Sequence, residues 1–143
     1  MELLFAGCKE VYESSFVHPL KMNINENVIV TKSFAFAVRI VKLYKLLSEH
    51  SKEFVISKQL LRCGTSVGAN VREAHNAESK NDFIHKMGIA QKEIAETLYW
   101  LELLKATNYL NQKEFESIEK DATELLKIIR SIIITTKKGK RDI

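Results

Sequence analysis

Beyond Pro19 the sequence contains no further proline, and from about residue 28 to residue 138 apolar residues recur every three or four positions. That spacing lines apolar side chains along one stripe of a helix, whereas a half-buried strand needs strict alternation. One proline and five glycines in 143 residues leave too little turn punctuation for a many-stranded sandwich or barrel, or for collagenous or low-complexity architecture. The length suits a single domain with a substantial core, so the expected class is all-α.

Four helical segments are expected. The first runs from Val28 or Thr31 to Leu47, where Leu43, Phe36, Leu47, Ile40, Tyr44, Ala37, Val41 and Phe34 fill about half of a helical wheel drawn at ~100° per residue. Lys32, Arg39, Lys42 and Lys45 take the complementary arc, giving an entirely basic polar face. The second segment starts at Ser57, an N-cap residue type, and reaches about Asn76, with Leu60, Cys63, Val67, Val71 and Ala74 as its apolar stripe. Its middle, Gly64-Thr-Ser-Val-Gly68-Ala-Asn70, is rich in poor helix formers, and each interior glycine costs about 1 kcal/mol relative to alanine. Gly64 and Gly68 share one face beside the stripe, as expected where another backbone approaches closely. Asn70 and Glu73, polar and close to that stripe, are read as members of a buried hydrogen-bond network fixing helix register.

The third segment opens with a capping box, Ser79-Lys-Asn-Asp82, and continues through Phe83, Met87, Ala90, Ile94, Leu98 and Leu101. Tyr99, Trp100, Leu103 and Leu104 then spread apolar surface around the cylinder. The fourth opens with Asn111-Gln-Lys-Glu114, carries Phe115, Ile118, Ala122, Leu125, Ile129 and Ile132, and frays into a basic run at 137–141. Helices of about 17–29 residues with short connections favour an up-down-up-down four-helix bundle. The apolar arcs are wider than a lone bundle requires, so a homo-oligomer is expected, with surplus apolar surface of the first and third helices in the subunit contact.

Residues 1–25 hold no sustained period and are read as a weakly ordered N-terminal extension, 26–138 as the bundle, and 139–143 as a basic tail. The opening Met1 to Cys8 imitates a lipoprotein cleavage site but lacks its cationic region and long apolar run; Met22 is an alternative start. Apolar runs fall short of the roughly 20 residues that cross a bilayer. Cys8 and Cys63 fit neither a disulfide framework nor a metal motif, which points to a reducing, cytoplasmic setting and no membrane partner.

The net charge of +4 conceals a division. Residues 31–72 carry eight basic and two acidic side chains, whereas residues 73–130 carry eight basic and eleven acidic ones. A basic half built from the first two helices suits phosphate neutralisation with counterion release; equally, those cations solvate a surface or pair with the acidic half of a neighbouring subunit. No aromatic residue interleaves with the basic arc of the first helix, so base stacking is not expected there.

Catalytic and cofactor patterns are weak. Asp82-Phe-Ile-His85 has the carboxylate–histidine spacing of di-iron bundles, but such a site needs a second copy and further inward glutamates. On the wheel His85 points away from the apolar stripe, and His75, near the end of the second helix, is read as a carbonyl cap or solvent-facing group. Cys63 lies on the stripe as a small hydrophobe, with no base at a recognisable spacing. No phosphate-cradling loop, zincin motif or nucleophile elbow occurs, so no enzyme activity, cofactor or metal is expected.

The stretch Ser66-Val-Gly-Ala-Asn70-Val-Arg-Glu73-Ala74, followed by Ala77-Glu-Ser79-Lys-Asn-Asp82-Phe83, Lys86, Ile89-Ala90, Lys92-Glu93, Glu96 and Tyr99-Trp100-Leu101, resembles the bacterial family encoded in intervening sequences of 23S rRNA genes, often labelled S23 ribosomal protein. The likeness covers about residues 28–138. It implies a left-handed up-down bundle assembling as a homopentamer, and kinship with basic, nucleic-acid-binding accessory proteins of diversity-generating retroelements that associate with a reverse transcriptase. It places Ser66, Gly68, Asn70, Glu73, Ser79, Asp82 and Phe83 on a structural signature of the second and third helices, which Gly64 joins on packing grounds. Two functions follow as expectations: a non-enzymatic oligomer binding RNA or DNA through Lys32, Arg39, Lys42, Lys45, Lys58 and Arg62, or a scaffold docking a protein partner.

Overall fold

A computed structural model describes residues 24–139, which form α1 (Ile24–Glu49), α2 (Ile56–His75), α3 (Lys80–Ala106) and α4 (Gln112–Lys137). No strand occurs among the described residues. Each helix packs on the next in chain order and α4 returns against α1, closing an up-down-up-down ring in which the α1–α4 contact is the least extensive. Residues 1–23 of the expected extension, with the lipoprotein-like start, lie outside the described residues, as does most of the basic tail, while residues 24 and 25 already belong to α1.

The core explains why four helices pack side by side. One seam of buried positions runs through 29, 33, 36, 40, 43 and 47 on α1; 57, 60, 64, 67, 71 and 74 on α2; 83, 87, 90, 94, 97, 101 and 104 on α3; and 115, 118, 122, 125, 129, 132 and 136 on α4, with Arg39, Cys63, Gly68, Glu114 and Ile133 buried beside it. Every helix thus alternates steps of three and four, an average period of 3.5, which keeps one seam facing its partners only if the helices supercoil left-handedly.

Several core slots hold hydroxyls instead of hydrocarbons, and those of Ser33, Thr97 and Thr136 each bond a carbonyl of their own helix. Ser33 Oγ donates to the Val30 carbonyl at 3.2 Å, Thr97 Oγ1 to Glu93 at 2.7 Å and Thr136 Oγ1 to Ile132 at 2.7 Å, so burial leaves no donor unmet. These hydroxyl residues hide the period. Ser33 breaks the apolar pattern of α1, which therefore begins at Ile24 and not at Val28 or Thr31. On α3 the register selects Thr97, fully buried, and leaves the more apolar Leu98 only partly covered.

Helix starts are set by carboxylates and amides. Asn111 and Glu114 complete a reciprocal capping box on α4. On α3, Ser79 Oγ accepts from the Asp82 amide at 3.0 Å, while the Asp82 carboxylate reaches the amide of Glu78 at 3.2 Å, one residue outside the expected box. Ser57 is not the N-cap of α2. It is buried at the second helical position, and Val55 at the cap position offers no side-chain acceptor. Glu53 caps the helix instead. Its Oε1 accepts from the amides of Val55 (3.0 Å) and Ile56 (2.8 Å), its Oε2 accepts from the amide of Ser57 (2.6 Å), and the Ser57 hydroxyl donates to the Glu53 carbonyl at 2.7 Å.

The two glycines of α2 both face α1, with unequal consequences. A Cβ at Gly64 would lie 2.8 Å from Ile40 Cγ1, whereas one at Gly68 would lie 3.4 Å from the Ser33 carbonyl oxygen, an ordinary contact. Ile40 is fully buried and β-branched, so it has nowhere to retreat. Gly64→Ala should therefore lower stability by about 1–3 kcal/mol through overpacking. Gly68→Ala should be neutral or raise it by up to about 1 kcal/mol through helix propensity. Gly68→Leu, whose bulk extends beyond that contact, should cost on the order of 1–3 kcal/mol or more. Thermal melts of the three variants check the ordering; equal melting of Gly64→Ala and Gly68→Ala would contradict it.

Candidate nucleic-acid interface

The basic half of the sequence and its acidic half meet inside one chain. Lys32 on α1 pairs with Glu124 on α4. Arg62 on α2 pairs with Glu96 and, at 3.5 Å, with Glu93 on α3. Arg39 is the largest departure from expectation: placed by the wheel on an open basic face, it is only 6% exposed. Its guanidinium spans the thin α1–α4 seam, donating to the Asp121 carboxylate, to the Ser117 hydroxyl at 3.0 Å and to the Ser117 carbonyl at 3.3 Å. The wheel misplaces it because α4 packs against the flank of α1 that carries Arg39, which the sequence of α1 alone does not record. Arg39 is therefore a structural bridge and leaves the surface set.

What remains open on this face is narrower. Lys42 is half-buried, Lys45 and Lys58 are exposed, and none of the three enters an ion pair among the described residues. Arg72, at the far end of α2, lies 5.2 Å over the Phe34 ring and so packs against α1.

The residues of the α2–α3 signature hold helices in place. Ser66 Oγ donates to the Arg62 carbonyl at 2.6 Å and Asn70 Nδ2 to the Ser66 carbonyl at 2.8 Å, both within α2. Glu73 is exposed and accepts from Lys86 Nζ across to α3 at 2.9 Å, an interaction that raises the Lys86 pKa. Asn70 and Glu73 thus form no shared buried network: one bonds its own helix, the other a surface cation. Phe83 is buried with its ring edge-on to His75 at 6.1 Å, and His75 Nδ1 lies 2.8 Å from the Val71 carbonyl.

Groups with catalytic potential sit in structural roles. Cys63 is fully buried, burial pushes its thiol pKa up, and the Thr97 hydroxyl meets the sulfur at 3.2 Å. His85 is exposed, while its sequence neighbour Asp82 is committed to the start of α3. Among the described residues no three His, Cys, Asp or Glu side chains gather as metal ligands, and no helix is long and apolar enough to cross a membrane. A cavity of ≈ 260 Å³ opens between the end of α1 and the start of α4, lined mainly by Leu43, Leu46, Leu47, Tyr109 and Leu110.

Sequence reasoning misses Glu53 and its neighbour Phe54, because both lie between helices where no periodicity applies. The signal available is an acidic residue just ahead of a helix start.

A four-helix bundle with heptad packing, carrying on α1 and α2 lysines with no ion-pair partner among the described residues, is the class that these observations define. The chain belongs to the 23S rRNA-intervening sequence protein family, whose sequence model matches residues 25–131. It is also 56% identical to a protein of unknown function from the S23 ribosomal protein family of Bacteroides thetaiotaomicron, whose crystal structure aligns over 78% of this chain and 100% of that one with a TM-score of 0.78. Comparison with curated proteins gives no match.

Proposed function

We propose that this protein is a non-enzymatic, oligomeric bundle that binds nucleic acid through Lys42, Lys45 and Lys58. The observation carrying this reading is the contrast within the basic half: Lys32, Arg39 and Arg62 are balanced by partners on α3 and α4, while these three lysines are not. Unneutralised cations on a rigid helical face gain by replacing the counterions of a phosphate backbone, and repeating the face around an oligomer multiplies weak contacts into avidity. Support for assembly comes from α1, where half of the wide apolar arc lies in the core while Phe34, Val38, Val41 and Tyr44 stay half-buried along its flank. A second copy covering that flank would remove it from water.

The test is fluorescence anisotropy of labelled RNA and DNA across a salt series, with the triple variant Lys42→Glu, Lys45→Glu, Lys58→Glu. Wild-type affinity should fall steeply with salt, and the variant should flatten the slope of log K against log salt by about 2–3. Binding that is absent, or indifferent to salt and to charge reversal, overturns the proposal. Sedimentation of the wild type should give an assembly larger than one chain; a stable monomer at micromolar concentration removes the oligomeric part.

A further inference from the structure

The α1–α2 connection presents an aromatic ring in a way that packing does not explain. Phe54 is 50% exposed and Val55 is 74% exposed, beside the fully used Glu53 carboxylate. An apolar residue just before an N-cap ordinarily packs against the fourth helical residue. Here that residue is Gln59, exposed and polar, so Phe54 has no such staple partner. The backbone beside it is nevertheless tied down by hydrogen bonds. Lys52 adopts φ 55°, a left-handed conformation disfavoured for a residue with a side chain, and Glu53 immediately after it is fixed by three amides and by the Ser57 hydroxyl.

Cations lie close to Phe54 along the chain. Lys52 precedes Phe54 by two residues, Lys58 follows it by four, and Lys45 lies in the last two turns of α1; none is in an ion pair among the described residues. The acidic residues of the same stretch are Glu49, exposed, and Glu53, consumed by the cap. The basic arc of α1 contains no aromatic, but the chain reversal at its end supplies one.

We propose that Phe54 is a stacking platform for an unpaired base, and that the nucleic acid held by the lysine face is single-stranded where it crosses this end of the bundle. This rests on the nucleic-acid reading above. A duplex offers its phosphates to lysines but keeps its base faces stacked and out of reach, leaving an exposed ring nothing to contact. An unpaired base offers both a phosphate for Lys52 or Lys58 and an aromatic face for Phe54. A backbone already held at this point before binding leaves only the ring's own rotation to be ordered on contact, which lowers the cost of binding.

The experiment compares a labelled 12-nucleotide oligouridylate with a 12-base-pair RNA duplex, using full-length wild type, Phe54→Ala, Phe54→Trp, Tyr99→Ala and the triple-lysine variant. Phe54→Ala should weaken the single strand about tenfold or more, leave the duplex within twofold, and melt like wild type. Phe54→Trp should retain single-strand affinity, and its added fluorescence should be quenched on binding. Tyr99, 55% exposed on α3 with its ring edge-on to Trp100 at 4.9 Å, is the control for loss of an exposed aromatic and should change neither affinity. The stacking role is overturned if Phe54→Ala leaves single-strand affinity within twofold, weakens both probes equally, or changes the sedimentation of the protein, which would place Phe54 in a subunit contact. If neither probe binds, or the triple-lysine variant binds as wild type does, the lysine face fails and the stacking platform falls with it.

Discussion

Arg39→Glu should unfold this bundle at markedly lower temperature than any single substitution of Lys42, Lys45 or Lys58. The guanidinium is buried at the thinnest contact of the ring, with donors directed at Asp121 and at both oxygens of Ser117. Replacing it with a carboxylate sets a second negative charge beside Asp121 and a carbonyl oxygen, at a position where the Arg39 side chain itself is largely shielded from water. Removing one partner of such a pair costs about 3–5 kcal/mol, against a total stability of roughly 5–15 kcal/mol for a domain of this size. The melting temperature should fall on the order of 10–20 °C. Arg39→Met, which keeps the apolar stem and leaves the 40%-exposed Asp121 side chain to water, should cost less, about 1–2 kcal/mol. Melting of Arg39→Glu within two or three degrees of wild type would refute the bridging role. The same reasoning bars Arg39 from any charge-reversal test of binding, since lost affinity would report a lost fold.

Arg39 also marks where sequence reading reaches its limit. Helix number and the heptad seam are legible because each is local: Phe83, Met87, Ala90 and Ile94 lie on one helix and their spacing is visible in one stretch. Gly64 and Gly68 signal a close approach for the same reason, although only the placement of Ile40 and Ser33 separates a position that rejects a methyl from one that accepts it. Thr97 escapes notice beside Leu98 because its hydroxyl is satisfied by the Glu93 carbonyl, a bond that apolarity patterns do not register.

Charge is legible in total and misleading in detail. The block from residue 31 to 72 is basic in any reading, but its pairing depends on residues more than 30 positions away for Arg62 and about 80 away for Arg39. Sequence can count cations; only the fold decides which are already neutralised. That distinction reduces six candidate phosphate ligands to three and shifts attention toward the loop end of α2, where Phe54 stands outside every helical wheel.

Acidification should destabilise the protein through Glu53, and Glu53→Gln should remove that part of the pH dependence. Burial alone would raise the Glu53 pKa, but the amides of Ile56, Ser57 and Val55 outweigh it and hold the carboxyl below the ordinary value of 4.5. The unfolded chain therefore takes up a proton at higher pH than the folded one does. The stabilisation is complete above the unfolded pKa and is lost as pH falls through the lower folded value. At neutral pH, Glu53→Gln forfeits a charge-assisted cap and turns an amide donor toward the Ser57 N–H, at a cost of about 1.5–3 kcal/mol. As pH falls through the lowered folded value the wild type loses the same charge, so the gap between the two melting temperatures should narrow steadily toward acid. Every other carboxylate titrates in both proteins and cancels from the difference. A gap equal at pH 7 and pH 3 would show that Glu53 acts through shape alone, and would also remove the electrostatic clamp that holds Phe54 in place.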